Sequence, residues 1–184
     1  MGSDIGEEWG SVPMLDRRTG DLVDLLLAQH REIEQRLEEV ASATGEARET
    51  AFSELYRVVY AHETGEQEVM HPAVRDLLHD ADTAEARITE EAAAGERLVE
   101  LRGVLDDEVA FGPLFLQVRE SITAHARAEE SNEFPRLRRL LSAERLHILG
   151  NSLRAFQSTA DEEPARGFGA QQRFSRTHGS NPTP

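Results

Sequence analysis

Two stretches of the chain place a histidine and a glutamate four residues apart and follow them with a proline: AHETGEQEVMHP at 61–72 and AHARAEESNEFP at 124–135. On a helix, side chains at i and i+4 lie one above the other on the same face. His62 with Glu66, and His125 with Glu129, would each aim an imidazole nitrogen and a carboxylate oxygen at one point, a donor pair suited to holding a metal ion. The spacing alone is weak evidence, because 35 of the 184 residues are acidic. His30 and Glu34 share it, and what separates the cases is whether both members face a core.

The elements that must carry these residues are helices. Between the ends the chain is rich in Leu, Ala, Glu and Arg and shows no strand-like alternation, so helix is favoured throughout. Breaks at SATGEA (42–47), HDADT (79–83) and DDEVAFGP (106–113) predict helices at about 20–42, 47–78, 83–106 and 113–141, with a shorter one near 143–157. Short connections make neighbours antiparallel, and the expected fold is an all-α, up-down-up-down four-helix bundle with a short extra C-terminal helix. Residues 1–18 and 159–184 are rich in Gly, Pro and Ser and are expected to be flexible tails around a domain at 19–158.

Stepping by three and four residues along each helix gives its inward stripe. The first reads Val23, Leu26, His30, Ile33, Leu37, Val40, and the second Phe52, Leu55, Val59, His62, Glu66, Val69, Ala73. The third reads Ala84, Ile88, Glu91, Gly95, Leu98, and the fourth Val118, Ile122, His125, Glu129, Asn132. Each stripe is apolar except near its middle, where His or Glu interrupts it, whereas Glu34 falls on the flank. Three imidazoles and three carboxylates buried without partners would cost several kcal/mol per charge, against a net domain stability of about 5–15 kcal/mol. A cation among them removes that conflict. Facing helices that offer such pairs hold two metal ions in bundle cores, and carboxylate with imidazole and no thiolate suits iron or manganese, with zinc as a further candidate.

Composition narrows the alternatives. The chain has no cysteine, which excludes disulfides, thiolate zinc sites, iron–sulfur clusters and cysteine nucleophiles. A net charge of −15 argues against nucleic acid or an anionic membrane as partner. No apolar run is long enough for a membrane span, and MGSDIGEEWG is acidic where a signal peptide would be basic, so a cytoplasmic location is expected.

The order His30, then His62 and Glu66 with Pro72, then His125 and Glu129 with Pro135, resembles the bacterial hemerythrin-like (HHE cation-binding) domain over roughly residues 20–141. The resemblance implies a non-haem di-iron site with Glu66 and Glu129 as bridging carboxylates and His30, His62 and His125 as terminal ligands. The family pattern usually adds a histidine on the third helix, and here that helix reads ARITEEAAAG. Glu91 lies on its inward line and is expected to replace the histidine; Glu90 points about 100° away. The resulting set of three His and three Glu makes reversible O2 carriage less expected than reaction with O2 or peroxide, including a catalase-like or oxidase activity, or plain metal holding. The alternative is an iron- or oxygen-sensing module that signals to a protein partner without turnover. Glu63 reads as a solvated residue, with an extra carboxylate as the alternative. His71 reads as an exposed helix-end residue, with the mouth of the site as the alternative. Tyr56 and Tyr60 flank the second stripe and are assigned to packing.

Overall fold

The structure, a computed structural model, describes residues 20–160 and is helical, with α1 Leu22–Ser42, α2 Gly45–Gly65, a π-helical segment Glu66–Met70, α3 His71–Leu77 and α4 Ala81–Arg102. It continues through α5 Glu108–Ser131, α6 Glu133–Leu140 and α7 Ala143–Ala160. The expected flexible tails lie outside the described residues, except that α7 runs to Ala160 rather than ending near 157. Among the described residues no helix is long and apolar enough to cross a membrane.

Two apolar clusters sit at opposite ends of the bundle. One contains Ile33, Leu37, Phe52, Val59, Leu98, Phe115 and Ile122. The other contains Leu22, Leu26, Val69, Met70, Ala84, Phe134, Leu137 and Leu153. Along α1 the chain passes from the second cluster to the first, along α2 and its π segment back again, and α4 and α5 repeat the alternation. That is an up-down-up-down bundle. Each long helix crosses from one cluster to the other at its polar residues: His30 between Leu26 and Ile33, His62 and Glu66 between Val59 and Val69, Glu91 between Ala84 and Leu98, His125 and Glu129 between Ile122 and Phe134.

Local signals explain the helix ends. Asp21 caps α1, accepting from the Asp24 N–H at 3.0 Å while the Asp24 carboxylate accepts from the Asp21 N–H at 3.2 Å, a reciprocal box. The fourth long helix starts before its expected first residue, Pro113, because Asp107 accepts from the N–H groups of Val109 and Ala110, both at 3.0 Å. Pro113 then sits within the second turn. Arg48, buried at one end of the bundle, donates to the carbonyls of Ala43 and Leu105 at 2.9 Å each and lies 4.0 Å over the Phe111 ring, tying the α1–α2 link to the α4–α5 link.

The two prolines do not simply kink their helices. Pro72 lacks the N–H that would bond the carbonyl four residues back, and its ring crowds that carbonyl. The chain widens over Glu66–Met70 into a π turn, with the His71 N–H bonding the Glu66 carbonyl, and then continues as α3. The expected single helix at 47–78 is therefore three consecutive segments. Ahead of Pro135 the helix breaks at Asn132, which is exposed rather than on the inward stripe, and Glu133 turns inward instead.

Helix α7 crosses the start of α1 at Gly150, where an added Cβ would stand 2.9 Å from the Leu22 nitrogen and 3.0 Å from the Asp21 carbonyl carbon. Backbone on both sides leaves little room to yield. Gly150→Ala is expected to destabilise the protein by about 1–3 kcal/mol, read as a lowered thermal midpoint; an unchanged midpoint would show that the two helices can part freely.

Candidate metal centre

Between the two apolar clusters the four long helices direct their polar side chains at one another. His30, His62, Glu66 and Glu129 each offer a donor atom within 4.8 Å of the others, and so do Glu66, His71, Glu91 and Glu129. Glu66 and Glu129 belong to both groups. His30 Nε2 lies 3.3 Å from Glu129 Oε2, and His62 Nε2 lies 3.2 Å from Glu66 Oε2. His125 Nε2 is 3.4 Å from Glu129 Oε1 and 3.9 Å from both Glu66 Oε2 and Glu91 Oε1. His71 Nε2 contacts Glu91 Oε1, whose other oxygen accepts from Gln67 Nε2 at 2.7 Å.

Three of the rings are gripped from behind. The Nδ1 atom of His30 meets Glu130 at 2.8 Å, that of His62 meets the Gln29 side-chain oxygen at 3.0 Å, and that of His125 meets Glu90 at 3.1 Å. Each contact leaves Nε2 facing the centre, the arrangement by which outer partners orient metal-binding imidazoles. Glu90 in turn contacts Arg87, whose Nε is 3.0 Å from the buried Glu133.

The unmet hydrogen-bonding demand tests whether a cation fits. Both oxygens of Glu66, both of Glu129, and Nε2 of His30 and of His125 are buried with no hydrogen-bond partner. Buried polar atoms are satisfied in all but a few cases, and these six unpartnered atoms belong to residues that face one another in the cluster. They are hard oxygen and imidazole nitrogen donors, the set that holds a divalent or trivalent cation.

Electrostatics tells the same story. Burial together with the facing Glu129 pushes the Glu66 carboxyl up to about 7. Burial alone would lower the His125 ring, but the carboxylates of Glu66, Glu129 and Glu91 outweigh it and raise the ring to about 10. Burial holds His62 well below its ordinary value, which keeps it neutral, and His30 and His71 are raised by their carboxylate neighbours against the effect of burial. In the metal-free protein the site thus holds protons where a metal would otherwise supply positive charge.

A sign follows for stability. A group whose folded value is raised lends stability that is present below its unfolded value and lost as pH rises through the folded one. For Glu66 that window runs from 4.5 to about 7, and for His125 from 6.5 to about 10. Above pH 6.5, the unfolded His125 value, His125 sets the direction and Glu66 adds to it only up to about pH 7, so the metal-free protein is expected to lose stability as pH rises toward 10. A loaded metal competes with protons for the same atoms, so loading should reverse the slope. Thermal midpoints measured across that range with and without Zn²⁺ check this; parallel slopes would contradict it.

The sequence profile of the hemerythrin HHE cation binding domain matches residues 21–137. The chain belongs to this family. The HHE domain of a protein from Mycobacterium kansasii, known from its crystal structure, is similar in fold, with a TM-score of 0.70 at 19% identity over 88% of this chain and 96% of that one. A protein of Nostoc sp. described as a DNA nickase is 24% identical over 145 residues, which is 78% of this chain and 41% of that relative. The chain thus spans about two fifths of the Nostoc protein's length. Membership makes this a cation-binding HHE domain, and its clustered His and Glu side chains are compatible with that.

The six residues singled out from the sequence, His30, His62, Glu66, Glu91, His125 and Glu129, all lie in this cluster, with Glu90 behind His125 and Glu34 exposed. Two expectations are corrected. Glu63 is only 4% exposed rather than solvated, and burial holds its carboxyl well above the usual range. His71 is 1% exposed rather than a surface residue at a helix end. In a regular α-helix it would lie about 140° around from Glu66. The wider π turn between them takes up much of that angle and brings the ring inward. Pro72 was the available signal, since a proline inside a continuing helix demands some rearrangement of the preceding turn.

Proposed function

We propose that this HHE domain holds two non-haem iron ions and reacts with O2, peroxide or a related small oxidant. The observation that carries the reading is the pair of four-residue groups sharing Glu66 and Glu129. Two donor sets with two common carboxylates suit two ions bridged by those carboxylates. One ion would take His30 and His62, and the other His71 and Glu91, with His125 within reach of both bridging residues. Manganese or zinc could occupy the same donors.

With His71 the set becomes four His and three Glu, so the imidazole absent from the third helix has a substitute from the π turn. Glu91 remains in the set, so the extra carboxylate that makes reversible O2 carriage less expected is still present. Bound iron would supply redox capacity and an open position for the oxidant. The chain's own part is to fix the donors and to limit access. A cavity of about 230 Å³ borders His30, His62, His125 and Glu63; apolar residues including Ile33, Val59 and Ile122 line part of it, and charged residues including Arg31, Glu34 and Arg127 line the rest. That is below the roughly 300 Å³ at which pockets for drug-sized ligands begin, and it suits a small oxidant.

The nicking activity named for the Nostoc protein is not carried over, since 35 acidic against 20 basic residues favour no contact with a phosphate backbone. The test is peroxide consumption by the iron-loaded protein. Loss of many equivalents of peroxide per site supports a catalytic centre; consumption that stops at about one equivalent supports the sensing or iron-holding role; none at all from a fully loaded protein contradicts reaction with peroxide.

A further inference from the structure

Helix α7 lies outside the four-helix core, yet it reaches the candidate metal centre through two amides. Gln157 Nε2 donates to the Ala61 carbonyl at 3.0 Å and faces Gln29 Oε1 at 3.4 Å. Gln29 Nε2 donates to Gln157 Oε1 at 3.0 Å, and Gln29 Oε1 stands 3.0 Å from His62 Nδ1.

This chain of contacts has one consistent polarity. A backbone carbonyl can only accept, so the Ala61 oxygen fixes which end of the Gln157 amide faces it. The Gln157 oxygen must then accept from Gln29, which turns the Gln29 oxygen toward the His62 ring. An oxygen there requires a proton on Nδ1, and that leaves the Nε2 lone pair free to bind a cation. Reversing both amides would set the Gln157 oxygen against the Ala61 oxygen. The other two gripped rings, His30 and His125, are held by carboxylates on the side chains of Glu130 and Glu90, and neither contact involves α7.

A second observation places α7 against the same turn. At Gly65, the residue before the π segment that begins with Glu66, an added Cβ would stand 2.6 Å from Leu153 Cδ1 and 2.9 Å from Gln157 Nε2. Leu153 is fully buried at this crossing. Helix α7 therefore presses on the turn that carries Glu66 and, through Gln157 and Gln29, sets the ring of His62.

We propose that Gln29 and Gln157 are positioning residues that hold His62 as the Nδ1-protonated tautomer, so that the seating of α7 and metal binding at His62 depend on each other. The proposal rests on the reading of His62 as a ligand. It predicts reciprocity: a coupling by which α7 strengthens metal binding must equally let metal binding strengthen the hold on α7.

The test uses the full chain and Zn²⁺ as probe, in competition with a chromophoric chelator. Gln29→Leu removes the acceptor and should weaken Zn²⁺ binding at His62 by about 10–100-fold, the usual cost of losing an outer partner. Gln29→Glu keeps an acceptor at Nδ1 but cannot donate to Gln157, so it should bind Zn²⁺ within a few-fold of wild type while its α7 exchange responds less to Zn²⁺. Gln157→Leu should lose affinity as Gln29→Leu does. Hydrogen exchange on the amides of α7 should slow on Zn²⁺ binding in the wild type and not in Gln157→Leu. Should Gln29→Leu fail to fold, the Gln157→Leu and Gln29→Glu proteins decide. Wild-type affinity in Gln157→Leu, or α7 exchange indifferent to Zn²⁺ in the wild type, would overturn the proposal while leaving the metal site itself intact. A wild-type protein that binds no Zn²⁺ or iron would instead remove the reading of His62 on which it stands.

Discussion

Glu66→Gln is expected to empty both metal positions at once, whereas His71→Ala or Glu91→Ala should leave about one ion of about two per chain. The difference comes from sharing: Glu66 belongs to both donor groups, and His71 and Glu91 to one. An amide keeps the volume of the carboxylate, but it is neutral and offers a single acceptor, so it cannot bridge two cations. The same change should act oppositely on the metal-free fold. Burial and the facing Glu129 make the Glu66 carboxylate costly to ionise. A carboxyl whose folded value is raised costs the fold stability when ionised, its contacts with His62 and His125 included, and a neutral amide of similar shape avoids that cost. Metal-free Glu66→Gln should therefore melt no lower than the metal-free parent near pH 8, although it no longer responds to metal. Elemental analysis beside a melting curve reads both effects. A variant that keeps one ion would show that Glu66 does not bridge. Glu34→Ala, on an exposed residue at the rim of the cavity, should change neither quantity.

Removing metal from the parent protein should lower its thermal midpoint by about 10 °C. An ion present at a thousand times its dissociation constant stabilises the folded state by about 4 kcal/mol, and a chain of this size shifts by about 2–4 °C per kcal/mol. The physical origin is the set of orphaned atoms. Without a cation, both oxygens of Glu66 and of Glu129 are buried with no hydrogen bond. The residue neighbours of the site should feel it first, namely the π turn Glu66–Met70 and the α2 segment before it. Chelation followed by calorimetry measures the shift, and readdition of Fe²⁺ or Zn²⁺ should restore it. A midpoint that does not move on chelation would mean that the clustered imidazoles and carboxylates satisfy one another.

Much of this arrangement was legible in the sequence because α-helical periodicity is local. The inward stripes predicted the depth at which His30, His62, Glu66, Glu91, His125 and Glu129 interrupt the apolar core, and the structure brings all six to that level between two apolar clusters. Where periodicity changes, the reading failed. A π turn alters the angle per residue, so His71 moved from a predicted surface position to the interior. The break at Asn132 had the same effect on a smaller scale, exposing that residue and burying Glu133. Contacts between distant segments were not legible at all. Gln29 and Gln157 carry no motif and meet only because α7 folds back across α1 and α2. The Arg87 contact with Glu133 likewise depends on how α4 sits against α6.

The central claim is that one buried cluster holds two iron ions through shared carboxylates. Elemental analysis of the iron-loaded protein, with X-ray absorption at the iron edge, tests it most directly. The account predicts about two irons per chain and an iron–iron distance of roughly 3.5–4 Å, the separation found in two-metal sites. A folded protein that takes up no iron, or one iron with no second metal in range, would contradict it.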